Sequence, residues 1–361
     1  MFRKKFNNGY SLLNVHVDDV LAAFNCQQAK DEFNSILSRV YRDYKCNSLI
    51  NGPIGYLGME IRKEVNGDIL VSQKQYIKET LSIYNVKAMA TSPATSTLCE
   101  LHKEDDDNKP YDMTAYASLV MKLMFIAKRS RPDLLLTLSV LCTKCKSPTE
   151  NDYKRLIRVL AYLNNTKDIP MRYICKTNSE LTISADASHL VHGDSRGHTG
   201  IVVQLGCNTV YCKSSKQKIV CRSSTESELV AQEESAVDAL WFKELIEFLT
   251  GTTIRKPIKI YQDNQSSIKI STFGSKANKH IRRRFDFIHQ HIESKSIQLT
   301  YRSSKELIAD QLTKPLQGKV FITSRDALLN YHEVNGNSNG LGATTKPLKG
   351  CVVQSTSARL D

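Results

Sequence analysis

Long hydrophobic runs are missing from this sequence of 361 residues. No run approaches the roughly eighteen apolar residues that a membrane-spanning helix needs, and the N-terminal segment MFRKKFNNGY lacks the apolar part of a secretory signal. The ten cysteines are too scattered for a disulfide scaffold, which indicates reduced, intracellular thiols. We therefore expect an intracellular protein, cytoplasmic or nuclear, that is not secreted and has no membrane partner.

Zinc-binding patterns are also scarce. Cys142 and Cys145 form a CxxC pair without a second pair or histidines at ligand spacing. We therefore interpret the pair as a chance spacing on a helix surface rather than as a zinc site. His189, His192 and His198 do not follow the HExxH pattern of zinc enzymes. We interpret these histidines as surface, packing or phosphate-contacting residues.

Acidic residues are outnumbered by basic ones, 37 to 50, which gives a net charge of +13 at pH 7. A basic chain favours a polyanionic partner, either nucleic acid or an anionic membrane surface. Nucleic acid is the better prediction because the sequence has no basic amphipathic anchor and no lipidation signal. Solvated lysines without a specific partner are the alternative.

The chain is longer than a single hydrophobic core usually supports, so we expect several domains. Residues 1–88 alternate short strands and helices, and residues 89–175 combine a polar linker with helices. Residues 179–317 have the element order of a mixed α/β domain. Residues 335–361, rich in Asn, Ser, Gly and Thr, are expected to be disordered.

Two apolar runs in the first segment, YSLLNVH and VLAA, flank a pair of carboxylates. They predict a β-hairpin with Asp18 and Asp19 at its tip. Two further strands are expected over residues 54–60 and 67–72, around a turn at Asn66-Gly67.

The segment 179–317 contains three predicted strands in succession, then helices that alternate with two more strands. This order predicts an α/β fold with a five-stranded mixed sheet and helices on its faces. The strands are expected over residues 181–185, 200–205, 209–213, 258–261 and 297–301, and helices over residues 225–249 and 305–313.

Four carboxylates in this segment are candidates for a shared metal site. Asp186 ends the first predicted strand and Asp263 lies just past the fourth, so both can meet at one edge of the sheet. Glu228 lies one turn into a helix, and Asp310 faces away from the apolar stripe of the last helix. Each acid alone is more often an ordinary exposed carboxylate, but their joint order favours a site for two Mg²⁺ ions.

Glu226 competes with Glu228 as the ligand from the helix. Ser223 and Glu226 have the spacing of a capping box, in which the glutamate binds the backbone at the start of the helix. Because Glu226 has this local role, Glu228 is the preferred ligand.

A short basic cluster follows the fourth predicted strand. Such a cluster can follow a phosphate backbone, and a solubilising face or a nuclear-targeting patch is the alternative. Its members are Lys276, Lys279, Arg282, Arg283 and Arg284.

Five blocks resemble, in order, the ribonuclease H domain at the end of copia-type LTR retrotransposon Pol polyproteins: SADASHLVHGDSRGHTGIVV, KSSKQKIVCRSSTESELVA, IYQDNQSSIKI, KHIRRRFDFIHQHIESKSI and ELIADQLTKPLQG. The resemblance implies a metal tetrad of Asp186, Glu228, Asp263 and Asp310. It also implies two Mg²⁺ ions, for which Mn²⁺ can substitute, and cleavage of RNA in RNA/DNA hybrids by a metal-activated water. The products would carry a 3′-hydroxyl and a 5′-phosphate.

The N-terminal part resembles the reverse transcriptase of the same elements. HVDDV at residues 16–20 is similar to the active-site hairpin, YLGMEI at residues 56–61 to the strand that grips the primer, and SQKQYIKETL to the start of the thumb. The resemblance implies a truncated palm and thumb in which Asp18 and Asp19 are metal ligands. The family's other metal-binding aspartate and its fingers precede this hairpin, so we expect no polymerisation by this chain alone.

Three interpretations of function stay open at the level of sequence. The first is a ribonuclease H with a palm and thumb remnant that helps to bind the hybrid. The second is a non-catalytic, nucleic-acid-binding relic of a retrotransposon, and the third is a truncated gene model of a complete RNA-directed DNA polymerase. An incomplete palm is expected to expose an apolar sheet edge, which favours pairing with other Pol segments or with a second copy.

Overall fold

The computed structural model describes residues 1–41, 45–99, 109–273, 279–331 and 349–354. Its first elements are the strands β1 (Phe2–Phe6), β2 (Gly9–His16), β3 (Asp19–Phe24) and β4 (Lys45–Ser48) and the helix α1 (Gln27–Val40). The predicted hairpin is confirmed, since β2 and β3 pair antiparallel with His16 opposite Asp19. Val17 and Asp18 form the turn between them.

The outer edge of β3 is covered by a strand from the far end of the chain, Lys349–Gln354, which also pairs with β4. The prediction of an exposed apolar edge on this hairpin is therefore wrong. Of residues 335–361, for which disorder is expected, the structure describes only residues 349–354, as this strand, and the rest of that segment lies outside the described residues. The physical reason is that the backbone groups of β3 need partners, and Val352 and Val353 favour a strand.

A second sheet contains β5 (Ile54–Tyr56), β6 (Met59–Lys63), β7 (Ile69–Ser72) and β8 (Met171–Tyr173), with α2 (Lys74–Ile83) after β7. The single strand predicted over residues 54–60 is wrong, because the chain turns at Leu57 and Gly58 and forms two strands. Both turn residues have positive φ, 49° and 77°, as a tight hairpin turn requires.

The middle of the chain forms three helices, α3 (Met113–Ala127), α4 (Leu135–Cys142) and α5 (Glu150–Thr166). A capping box starts α5: the Thr149 side chain accepts from the Asp152 N–H, and the Asp152 carboxylate accepts from the Thr149 N–H. The apolar faces of the three helices meet in one core. No helix in the described part of the chain combines the length and apolarity that a membrane crossing requires.

The last part contains the strands β9 (Leu181–Ser188), β10 (His198–Leu205), β11 (Asn208–Lys216), β12 (Ile258–Gln262) and β13 (Ile297–Tyr301) and the helices α6 (Ser224–Thr250), α7 (Gln265–Phe273), α8 (Lys279–Glu293) and α9 (Gly318–Leu329). These strands form one sheet in the order β11-β10-β9-β12-β13. β9 pairs antiparallel with β10 and parallel with β12. The predicted five-stranded mixed sheet in an α/β fold is therefore confirmed.

Both faces of this sheet are covered. Ile183 and Ala185 of β9 pack on one face with residues of α6 and α8. On the other face, Val202 of β10 shares a core with α3, α4 and α5. The three middle helices and the sheet therefore form one packed unit.

The helix predicted over residues 305–313 is wrong, since the chain forms only a short 3-10 helix there, Ile308–Leu312. This segment lies directly on β10: a Cβ added at Gly200 would come within 2.9 Å of the Ala309 carbonyl oxygen and 2.8 Å of Thr313 Cγ2. The missing side chain of Gly200 permits the close approach. The approach holds Asp310 beside the central strands.

Candidate metal-binding active site

Asp186 lies on the central strand β9 and points to the face opposite Ile183 and Ala185. It is only 1% exposed. The Thr313 hydroxyl donates a hydrogen bond to Asp186 Oδ2, and the Thr313 carbonyl accepts one of 2.9 Å from Ser188 Oγ. A carboxylate buried in this way needs such donors, or a cation, to offset the loss of water.

Glu228 extends from the second turn of α6 and is 6% exposed. Gln262, the last residue of β12, donates from Nε2 to Glu228 Oε2 at 2.7 Å. The side-chain oxygen of Gln262, Oε1, in turn accepts from Gln232 Nε2 and Ser267 Oγ, and both of these side chains are fully buried. This network of buried amides and a hydroxyl determines where the Glu228 carboxylate points.

Asp263 follows β12 directly, is half-buried, and accepts a hydrogen bond of 2.6 Å from Ser304 Oγ. One oxygen from each of Asp186, Glu228 and Asp263 lies within 4.8 Å of the other two. Among the described residues, this is the one group of three side chains with the geometry to share a metal ion. The structure thus brings together three of the four acids that the sequence predicts as ligands.

Asp310, the fourth acid, is not part of this group. It lies in the 3-10 helix and binds the ammonium of Lys314. The same ammonium lies 3.6 Å from Asp186 Oδ2. Asp310 and Asp186 therefore face a common cation, which the chain itself supplies.

Burial and mutual repulsion perturb the ionisation of these acids. Burial, followed by the charges of Asp186 and Asp263, raises the pKa of Glu228 to about 9. Burial also raises the pKa of Asp186 to about 6, although Lys314 opposes the shift. Burial lowers the pKa of Lys314, but Asp186 and Asp310 raise it overall. A bound multivalent cation would offset the burial and the mutual repulsion of these carboxylates and so stabilise their ionised forms.

The donor set fits a divalent metal. Carboxylate oxygens are the ligands that Mg²⁺ prefers in proteins. The Lys314 ammonium already acts as a stand-in cation beside Asp186, so the site accepts positive charge.

Glu226 lies at the start of α6, where the sequence predicts a capping role. Ser223 Oγ accepts a hydrogen bond of 3.2 Å from the Glu226 N–H. Glu226 Oε2 accepts one of 2.8 Å from the N–H of Arg222, which lies one residue further back than in a standard capping box. The Glu226 carboxylate is thus occupied by the backbone, and Glu228 joins the acid group.

Asp18 and Asp19 lie at the turn of the β2–β3 hairpin. Asp18 is exposed and Asp19 is half-buried. Within the part of the chain that the structure describes, neither belongs to a group of three potential metal ligands.

The basic cluster is only partly described. Lys276 lies outside the described residues, and only the backbone of Lys279 is described. Arg282 and Arg283 are exposed on α8, whereas Arg284 binds Glu233 of α6. Among the cluster side chains that the structure describes, these two arginines are the ones with an exposed charge.

Two of the three histidines near Asp186, His192 and His198, have packing roles, and the third, His189, lies with Nδ1 3.0 Å from Ser227 Oγ. A hydrogen bond of 3.0 Å joins the rings of His192 and His198, and His198 Nε2 lies 2.8 Å from Ser214 Oγ. Burial lowers the pKa of His198 to about 3, so its ring is neutral. Ser214 Oγ donates to the Leu312 carbonyl at 2.7 Å. The pair therefore supports the segment that carries Asp310.

Gln262, Thr313 and Lys314 are among the residues of the site that escaped the sequence analysis. Gln262 directly precedes Asp263, and the other two follow Asp310 within about one turn. Proximity to a candidate acid was the available signal. It does not reveal their partners Glu228 and Asp186, which are distant in the sequence.

No protein family model matches the chain. It is 31% identical to the retrovirus-related Pol polyprotein from transposon RE2 of Arabidopsis thaliana, over 85% of this chain and 21% of the relative. The Pol polyprotein from transposon RE1 of the same plant is 30% identical, over 74% of this chain and 18% of the relative. The chain spans about a fifth of the length of these curated relatives. A foamy viral protease-reverse transcriptase, solved in complex with RNA/DNA hybrid, is 13% identical with a TM-score of 0.43, over 92% of this chain and 38% of that one.

Proposed function

Because the chain belongs to the family of copia-type retrotransposon Pol polyproteins, we propose that it is a metal-dependent ribonuclease H that cuts the RNA strand of RNA/DNA hybrids. The observation that carries the proposal is the convergence of Asp186, Glu228 and Asp263 at one point of the mixed sheet. Asp186 comes from β9, Asp263 follows the parallel neighbour β12, and Glu228 comes from α6.

Asp186, Glu228 and Asp263 would hold one Mg²⁺ ion, and Asp310 would join Asp186 in holding a second. Mn²⁺ replaces Mg²⁺ in the same ligand set. When bound, two such ions would supply activation of a water and stabilisation of charge in an in-line displacement, in which the water oxygen bonds to phosphorus and the 3′-oxygen leaves, giving a 3′-hydroxyl and a 5′-phosphate.

The neighbouring polar residues keep the carboxylates oriented for metal binding. Gln262 directs the Glu228 carboxylate, and the Thr313 hydroxyl binds Asp186. Ser304 binds Asp263. Pre-orientation of this kind removes the cost of arranging the ligands during the reaction.

An RNA/DNA hybrid is the proposed partner because the chain offers positive charge for two phosphate backbones. The net charge is +13, and Arg282 and Arg283 are exposed on α8. The 2′-hydroxyls of one strand distinguish it from the deoxy strand. We propose that the reaction takes place inside the cell, since the relatives are retrotransposon Pol polyproteins.

The N-terminal hairpin is not expected to support polymerisation by itself. Asp18 is exposed at a turn, and neither it nor Asp19 joins three potential ligands among the described residues. A two-metal polymerase site needs more carboxylates than this pair.

The test incubates the full chain with a labelled RNA/DNA hybrid and Mg²⁺ or Mn²⁺. We expect cleavage of the RNA strand only, with single-stranded RNA and duplex DNA intact, and little turnover in Ca²⁺ because its larger coordination shell misplaces the water. Asp263→Asn should keep hybrid binding but lower the rate roughly thousandfold, a loss of about 4 kcal/mol of transition-state stabilisation.

Glu293→Gln is the matched control, because it neutralises a carboxylate that is 70% exposed on α8. Its rate should stay close to that of the unmodified protein. A folded protein that binds the hybrid but never cuts it would establish the non-catalytic relic instead.

A further inference from the structure

We propose that Lys314 is an internal competitor for the second divalent ion of this site. Its ammonium occupies the cation position between Asp186 and Asp310 and must leave when an ion binds there. The inference rests on the proposed function for the nature of the site and adds a residue that sets its metal affinity.

The position of the Lys314 ammonium carries the inference. Nζ binds Asp310 Oδ1 and lies 3.6 Å from Asp186 Oδ2. The Lys314 N–H also donates to the Asp310 carbonyl at 2.9 Å, and the preceding Thr313 hydroxyl donates to Asp186. The two residues Thr313 and Lys314 therefore contact both acids, and the ammonium lies between them.

An ammonium and a divalent ion cannot share this position. Like charges about 4 Å apart repel strongly where water is partly excluded. The ion must therefore compete with the two ion pairs of Lys314 for the same carboxylates.

The side chain has a route out of the site. The Lys314 side chain is 41% exposed, whereas that of Asp186 is 1% exposed. The flexible four-carbon stem of a lysine lets its ammonium move to water while the backbone stays in place.

The two ion positions are therefore unequal. Asp186, Glu228 and Asp263 meet without Asp310, whose carboxylate is engaged by Lys314. We expect one tighter ion at the group of three and one weaker ion whose binding requires displacement of the ammonium.

Titration of the full chain with Mn²⁺, followed by electron paramagnetic resonance and calorimetry, tests this expectation without any substrate. Lys314→Met keeps most of the stem and removes the charge, so the weaker ion should bind roughly tenfold to hundredfold more tightly. Lys314→Arg keeps the charge and should retain the weak second site. Lys319→Met removes an exposed charge five residues further along the chain and should change neither affinity.

The inference would be overturned if the weaker site of Lys314→Met bound Mn²⁺ with the same affinity as the weaker sites of Lys314→Arg and Lys319→Met. A second measurement uses only the unmodified protein, in case the methionine variant does not fold. Lysine acylation followed by mass spectrometry should label Lys314 slowly without metal and several-fold faster at saturating Mn²⁺, and an unchanged rate would also overturn it.

These binding results are independent of turnover. If Lys314→Met binds metal more tightly but the unmodified protein does not cleave the hybrid, the proposed function is rejected and the competition by Lys314 stands. Cleavage by the unmodified protein, with metal affinity unaffected by Lys314→Met, would reject the competition alone.

Discussion

The guanidinium of Arg131 donates two hydrogen bonds, of 3.0 and 2.7 Å, to the carboxylate of Asp133, and both side chains are fully buried. Arg131 also donates to the Thr166 carbonyl at 2.9 Å, and the Tyr162 hydroxyl donates to Asp133 at 2.6 Å. This ion pair therefore joins the turn before α4 to the end of α5. Both helices belong to the core that is shared with the mixed sheet.

Removal of one charge from this pair should destabilise the protein severely. Asp133→Asn leaves the buried guanidinium uncompensated, so we expect the free energy of unfolding to fall by about 3–5 kcal/mol. Asp168→Asn is the control, because Asp168 pairs with Lys74 at an exposed site where the expected cost is about 0–1 kcal/mol. Urea denaturation followed by circular dichroism measures both, and equal losses would contradict the structural role of the buried pair.

The two glutamates at the start of α6 should separate in function. Glu228→Gln removes a carboxylate of the acid group and should lower single-turnover cleavage roughly thousandfold. Glu226→Gln alters a contact with the Arg222 N–H, so it should cost about 1 kcal/mol of stability and less than about tenfold in rate. An inactive Glu226→Gln beside an active Glu228→Gln would reverse the assignment of the helix ligand.

Metal binding should strengthen as the pH rises. Burial raises the pKa of Glu228 to about 9 and that of Asp186 to about 6, above the usual values of roughly 4. Between about pH 4 and pH 9 the folded protein binds more protons at these two groups than the unfolded chain, so their contribution to stability falls as the pH rises. A bound metal ion needs the ionised forms and reverses this loss.

We therefore expect the Mn²⁺ dissociation constant of the tighter site to fall by about tenfold per pH unit between about pH 6.5 and 8.5. The increase in Tm on addition of Mg²⁺ should grow over the same range. Glu228→Gln should flatten both dependences, because the group that loses the proton is gone. A pH-independent dissociation constant in the unmodified protein would contradict the assignment of Glu228 as a ligand.

The exposed arginines of α8 should control the salt dependence of hybrid binding. Replacement of Arg282 and Arg283 by alanine should weaken binding and lower the slope of log affinity against log salt by about 2. The rate at saturating hybrid should change little. Alanine at the exposed Arg255 and Lys256 removes the same charge elsewhere, so an equal effect of the two double variants would argue for a diffuse charge effect.

Local patterns in the sequence were sufficient to predict the five strands of the mixed sheet and to select the candidate acids. Asp186 was predicted at the end of the first strand of the sheet, and in the structure it lies on β9 opposite the core residues Ile183 and Ala185. The capping spacing of Ser223 and Glu226 separated Glu226 from Glu228. These features follow from periodicity and hydrogen bonding within a few residues, which a single sequence contains.

The sequence by itself thus determined the succession of the five strands of the mixed sheet along the chain and three acids that meet at its central strands. The tertiary structure alone decided that the Lys314 ammonium lies between Asp186 and Asp310, and that the strand Lys349–Gln354 covers β3. It also decided that the segment after β13 is a 3-10 helix, because Gly200 lets that segment approach β10 closely. Each of these outcomes depends on a contact between residues far apart in the chain, where close packing and the need to pair buried charges override local preference.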